Sequence, residues 1–365
     1  MRKGANLGAD SFLTYGVCVG TSALIPYSLM NRPQDQGVAI ILGGIWILAL
    51  FTLYRSILRF GDEHDDLFDL IRLAFGRVIS KLMIYVYGIF VLLMIGKDLA
   101  IVWGTIGNMM LPKQTPQFVA ALLVIHIFLI CIQGGMKTIL HLSVFFSTLC
   151  LLTNIVILVF SIQDIEANYF FPLFYEGWKP LFQESFSIST NSSGEIMLFL
   201  LVPQICTEIR TTIKRYLFPV LCIMMTNLIK YVVSVGFLGE YLQYVSIPGA
   251  VASGVLTIGN AQIRIESLVI LAWFSTAIIK FSIEYYILVR IASKLTGNGN
   301  ESSTFYLFPV GLIVWSITMI MFQNQLEIIR FPETYAIYAT VFQIIIPVVL
   351  WVGLKLKGII RARLQ

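Results

Sequence analysis

Six ionisable side chains stand inside long apolar runs of this chain: Lys97 and Asp98, Glu195, Lys230, and Lys280 with Glu284. An ionisable group near the middle of a bilayer costs roughly 2.5 to 3.5 kcal/mol on insertion scales, so each one needs a partner or a task. Groups so placed hold ions, pass protons or bind polar ligands. Lys280 and Glu284 are one helical turn apart and could pair directly. Lys97 and Asp98 are neighbours, about 100° apart around a helix, so the pair is not expected to face one pocket together, and one of them should reach toward another helix.

The surroundings of these groups set the class of the protein. Of 365 residues, 58% are hydrophobic and 12% charged, and the mean hydropathy is +0.84. Those values belong to an integral membrane protein rather than to a soluble domain. The five cysteines, Cys18, Cys131, Cys150, Cys206 and Cys222, all fall in apolar runs and are read as buried thiols without disulfide or metal. No phosphate-binding glycine loop, zinc signature, nucleophile elbow or Cys-x-x-Cys pair occurs, and His64, His126 and His141 are scattered. ATP-driven pumping, hydrolytic chemistry, a cofactor and a metal are therefore not expected, and no residue is assigned a catalytic role.

Apolar runs of about 20 residues mark spanning helices. Ten are expected, near 11–30, 36–58, 80–109, 116–133, 137–162, 182–206, 214–239, 264–294, 304–322 and 335–356. With the N-terminus inside, the cytoplasmic segments collect Arg55, Arg59, Arg72, Arg77, Lys81, Lys137, Arg210, Lys214, Arg215, Arg290, Lys294 and both basic termini. The other face holds Arg32, Lys113, Lys179, Arg264 and Arg330. This bias places both termini in the cytoplasm. It also accounts for the net charge of +5 without a nucleic-acid partner. Between spans two and three, Leu67, Leu70, Ile71, Ala74, Phe75 and Val78 recur at helical spacing within residues 62–81, which predicts an amphipathic helix lying at the membrane surface. Residues 241–263 form an apolar, small-residue-rich loop expected to cap an outward-facing cavity.

Ten spans with both ends on one side divide into halves of opposite orientation, approximately 10–162 and 182–356 within a single transmembrane domain of residues 1–365. That is the arithmetic of an inverted repeat. The first span of each half carries weak helix formers: GVCVGTSALIP at residues 16–26 and STNSSG at residues 189–194. A helix broken at mid-membrane leaves amides and carbonyls unpaired, which is tolerated where protein or a polar cavity supplies partners. Such a break presents dipole ends and free carbonyls to a ligand. Small residues in these stretches would also serve close helix packing. Glu195, just after the second break, could cap the exposed amides or meet a ligand ammonium. In transporters with broken helices a cation site lies between the first and eighth spans, so the Lys280 ammonium could stand in for a sodium ion, pair with Glu284, or snorkel.

The broken GVCVGTSALIP, the connector LFDLIRLAFGRVIS, the span-six SSGEIMLFLLVPQI and above all RIESLVILAW at residues 264–273 together resemble the B subunit of bacterial spore germinant receptors, a branch of the amino acid, polyamine and organocation transporter superfamily. The resemblance covers nearly the whole chain. It implies an all-α polytopic membrane protein of ten helices with the leucine-transporter-like five-plus-five inverted repeat and broken helices one and six. It also implies a nutrient ligand such as an amino acid, and assembly with a larger membrane A subunit and a lipoprotein C subunit in the spore inner membrane. The implied pocket lies at Gly20, Thr21 and Ser22, at Ser192, Ser193 and Gly194, and at the span-eight face near Lys280, with span three closing it near Ile95. Glu195, Lys280 and Glu284 are the candidates for ion or proton coupling. A solitary proton-coupled amino acid permease would need the same site.

Overall fold

The computed structural model describes residues 9–20, 33–109, 113–174, 177–211, 214–245, 248–254, 257–258, 261–262, 266–297, 303–322 and 325–363. The described chain is almost entirely helical. Helix α1 (Ala9–Val19) is followed by α2 (Gln36–Leu58), the short α3 (Leu67–Phe75) and the long α4 (Arg77–Met109). An antiparallel pair, α5 (Pro116–Gly134) and α6 (Met136–Ser161), turns at Gly135, whose φ of 54° lets the chain reverse in a single residue. Next come α7 (Trp178–Ile188), α8 (Pro203–Thr211) and α9 (Lys214–Leu238). The peripheral α10 (Pro248–Ser253) and a two-residue hairpin of β1 (Thr257–Ile258) and β2 (Ala261–Gln262) lead to α11 (Glu266–Thr296). Helices α12 (Ser303–Met321), α13 (Gln325–Thr340) and α14 (Ile346–Arg363) complete the bundle.

Eight described helices are long and apolar enough to cross a membrane. The expected spans without such a helix are one and six, the two whose sequences contain breaks. Helix α1 stops at Val19, and residues 21–32 lie outside the described residues. Span six is a composite: α7 passes into a π-helical turn at Ser189–Ser193, then a 3-10 stretch at Gly194–Leu201, then α8. The backbone is not unwound there. It changes its hydrogen-bonding step twice within thirteen residues, a device that leaves α-helical regularity without leaving amides bare.

Helix α11 is the axis of the bundle. In its span 72% of the best apolar window is buried, against 28–50% in the other seven, and it packs on α1, α4, α5, α6 and α12. Outer faces carry exposed Ile45, Leu82, Ile125, Phe145 and Phe305, as befits a multi-pass protein whose surroundings are lipid rather than water.

The surface connector forms as the spacing predicts, but shorter. Asp66 opens α3 with a reciprocal cap: its carboxylate accepts from the amides of Phe68 (3.0 Å) and Asp69 (3.2 Å), while Asp69 accepts from the Asp66 amide (3.2 Å). Leu67, Leu70 and Ile71 turn inward. Gly76, with φ of 90°, ends the helix, so Val78 belongs to α4 and is 83% exposed. Asp66 is itself fully buried and receives Arg290 (2.9 Å) and Lys294, which ties α3 to the end of α11.

Candidate functional site

Four of the six ionisable groups converge in the middle of the bundle. Lys97 and Asp98 come from α4, Lys280 from α11, and Glu195 from the first turn of the 3-10 stretch in span six. The Lys97 ammonium lies 2.9 Å from Asp98 Oδ1 and 3.4 Å from Glu195 Oε1. The Lys280 ammonium lies 2.7 Å from Asp98 Oδ2 and 2.5 Å from Glu195 Oε2. Each cation thus touches both anions, closing a ring of alternating charge whose members are at most 1% exposed. Charges taken this far from water are held only when each is compensated, and this ring does so pairwise.

The expectation that Lys97 and Asp98 would not share a pocket is corrected here. Their Cα–Cβ bonds do diverge around α4, but the long lysine stem swings its nitrogen back to the neighbouring carboxylate. The same nitrogen sits 3.8 Å from the centroid of the Tyr335 ring, a cation over an aromatic face. The Tyr335 hydroxyl donates to Glu195 Oε1 at 3.4 Å. Glu195 therefore spends its carboxylate on Lys97, Lys280 and Tyr335 rather than on capping backbone amides.

Lys280 likewise reaches across to Asp98 and Glu195 instead of relying on Glu284. Glu284 is fully buried, and neither of its oxygens has a hydrogen-bond partner among the described residues. It lies against Asp98. As carboxylates, those two groups cannot hydrogen-bond each other without a proton between them. Two lysines thus face three carboxyls, and full ionisation leaves the cluster one negative charge in excess.

The break in span six is positioned by a counterpart in the last span, where Val341–Ile345 is also π-helical. Gln343, fully buried, donates from Nε2 to the Thr190 carbonyl at 3.1 Å, satisfying an acceptor within the span-six π turn. A Cβ at Gly194 would lie 1.9 Å from Gln343 Oε1, so any larger residue there must push the Gln343 amide away from the Thr190 carbonyl. Tyr54 and Tyr87 donate to the carbonyls of Gln343 (2.7 Å) and Phe342 (3.1 Å). Tyr335, Gln343 and the second π segment were missed by sequence reasoning. The one visible signal was a glutamine in an otherwise apolar span.

The remaining sequence-predicted residues fall as follows. Gly20 closes the end of α1 against α11: a Cβ there would sit 2.9 Å from the Thr276 carbonyl and 3.0 Å from Lys280 Cβ. The small residues of α1 therefore serve packing against α11 as well as ending the helix. Thr21 and Ser22 lie outside the described residues. Ser192 and Ser193 belong to the π turn, with side chains outside the described residues. Ile95 is fully buried in the core, two residues before Lys97. A separate cavity of about 680 Å³ opens at the end of the bundle that carries the α5–α6 turn. It is lined by Gln133, Lys137, Gln204, Tyr286, Arg290 and Ser293 among others, and it begins within a turn of Glu284 on α11.

Comparison with known proteins follows the same lines. A family model described as spore germination protein matches residues 10–325. Among solved structures, the fold is similar to a nucleobase-cation-symport-1 family transporter in a closed conformation with bromovinylhydantoin bound (TM-score 0.63, 12% identity, 94% of this chain and 77% of that one). It is also similar to a Na+-coupled sialic acid symporter in a substrate-bound outward-open state (TM-score 0.60, 10% identity, 94% and 80%). A search of curated proteins gives no match. At such identities the likeness establishes the fold alone, the leucine-transporter type.

Proposed function

The chain belongs to the spore germination protein family, and from that premise we propose that it is the B subunit of a nutrient germinant receptor. It binds a small nutrient, an amino acid by preference, at mid-membrane between the ends of the broken spans one and six, with Gly20, Thr21, Ser22, Ser192, Ser193, Gly194, Ile95 and Lys280 around it. Binding favours one arrangement of the bundle, and partner A and C subunits in the spore inner membrane read the change. A ligand shifts such an equilibrium only by its differential affinity for the two arrangements.

The observation that carries this reading is the charge ring. It links span six, through Glu195, to the two long helices α4 and α11 by two ion pairs, and two more through Asp98 close the ring. Any motion of span six relative to α11 must rearrange those pairs, so a ligand seated at the break has a direct hold on the bundle.

A second reading, transport by this chain alone, is favoured by Glu284. The uncompensated carboxyl beside Asp98 can take up a proton or a small cation and give it back, with Lys280 and Glu195 adjusting, which is what coupling to an ion gradient requires. Purified protein in liposomes separates the readings. Saturable binding of a labelled L-amino acid without flux is the expected result. Uptake driven by an imposed pH gradient, and abolished in Glu284→Gln, would establish the permease. Absence of both binding and flux would overturn the nutrient reading altogether.

A further inference from the structure

One buried cation is left over by the ring. Lys230, on α9, carries a half-buried stem whose ammonium nitrogen is sealed from solvent and has no hydrogen-bond partner among the described residues. Lys97 and Lys280 each touch two carboxylates. Beside Lys230, the interacting ionisable neighbour is the thiol of Cys150 on α6, and no carboxylate among the described residues pairs with it. An ammonium group at membrane depth without a counter-charge is costly, and it is retained where a partner arrives from elsewhere.

The groups around it are built for a polar guest. Tyr15 on α1 is hydrogen-bonded to Thr226 on α9 at 2.9 Å and reaches the Cys150 sulfur at 3.5 Å. Asn154 donates to the same sulfur at 3.4 Å, and Thr276 on α11 also reaches it. Tyr15, Cys150, Asn154, Thr226 and Thr276 are all at most 6% exposed. Four helices thus contribute hydroxyl, amide and thiol groups to one polar cluster, which meets the uncompensated Lys230 at Cys150. Thr276 is one turn above Lys280 on α11, and its carbonyl is 2.9 Å from where a Cβ of Gly20 would stand. The cluster therefore adjoins the end of α1, on the side of Gly20 away from Glu284.

We infer that Lys230 is the anion-receiving subsite of the nutrient pocket, pairing with a ligand carboxylate, so that the ligand is a carboxylate-bearing nutrient rather than a sugar or a nucleoside. This rests on the nutrient-binding reading and sharpens it: the positive charge comes from a side chain on α9, in addition to the helix ends at the breaks. Arg would supply the same charge. Met fills similar volume without it.

The full chain in lipid nanodiscs is titrated with each of the twenty L-amino acids, with the amide of whichever binds, and with glucose and inosine. The wild type is expected to bind an amino acid at least tenfold more tightly than its amide. Lys230→Met should lose that preference, weakening amino acid binding by tenfold or more with amide binding unchanged, and Lys230→Arg should stay within a few-fold of wild type. If Lys230→Met does not yield folded protein, Lys230→Gln serves in its place. Equal affinity of the wild type for acid and amide, or an unaltered preference in the neutral variants, overturns the subsite. Binding of glucose or inosine but of no amino acid sinks it while leaving nutrient binding intact. Binding of nothing sinks both.

Discussion

Residue by residue, the most exacting position is Glu195. Both lysines of the ring lean on it, as does Tyr335, so truncation removes one of the two ion-pair partners of each ammonium group and leaves the Tyr335 hydroxyl without its acceptor. Breaking a buried pair from one side costs about 3 to 5 kcal/mol. Glu195→Ala should therefore lower the thermal midpoint of the protein in detergent markedly, and Glu195→Gln, which keeps shape and one acceptor, should lower it less. A double variant, Glu195→Gln with Lys97→Met, should recover part of the loss, because it removes a cation together with an anion. Charge was also what made this site readable in sequence. Lys97, Asp98, Glu195, Lys230, Lys280 and Glu284 stood out because membrane depth makes each costly. Their partners did not, because pairing across α4, span six and α11 depends on how far a flexible stem can swing. Hence the mistaken separation of Lys97 from Asp98, and hence the silence about Tyr335, a residue type common in packing.

At the scale of elements, the informative pair is the two π segments, Ser189–Ser193 and Val341–Ile345, joined by the Gln343 bond to the Thr190 carbonyl. Gly194→Ala should disturb this junction more than a methyl group elsewhere, since the added carbon meets Gln343 at once. Overpacking of this kind costs about 1 to 3 kcal/mol. Combining Gly194→Ala with Gln343→Ala should relieve the clash yet leave the Thr190 carbonyl without its donor, so the double variant should remain below wild type in thermal unfolding. The break in span six was legible, because six consecutive residues at 189–194 are small, polar or both. Its form was not: sequence suggests loss of helix, whereas the chain keeps a helical path and changes its step. The partner break in the last span lies among Val, Phe and Ile, and only Gln343 betrays it. The surface helix α3 was legible from its apolar spacing, and its end at Gly76 carries a local glycine stop signal that the spacing overran, while the clasp of Asp66 on Arg290 and Lys294 depends on long-range contacts that no local pattern encodes.

For the molecule as a whole, the bias of Lys and Arg predicts which end faces the cytoplasm. The cavity lined by Gln133, Lys137 and Ser293 lies at the basic end. Gln133→Cys, at an exposed position of that lining, should therefore react with a membrane-impermeant maleimide in inside-out vesicles and be protected in right-side-out ones, with the native cysteines replaced by serine or alanine as background. Labelling from the opposite side would reverse the orientation. The class of the protein, eight of its ten expected spans and the interruption of span six could be read from hydropathy and small-residue runs. The closing of four charges into a ring could not, since it joins positions 97, 98, 195 and 280.

Asp66 and the ring lie far apart in the bundle, yet both hold on to α11. From Lys280 to Lys294 that helix runs without interruption for fourteen residues, about 21 Å at the α-helical rise. A rod of that length pinned at mid-depth and at its tip behaves as a lever: a tilt of three degrees at the buried end carries the tip about 1 Å, enough to lengthen and weaken the Asp66 contacts. The loosening of one surface latch would then be the outward sign of an event in the membrane's interior.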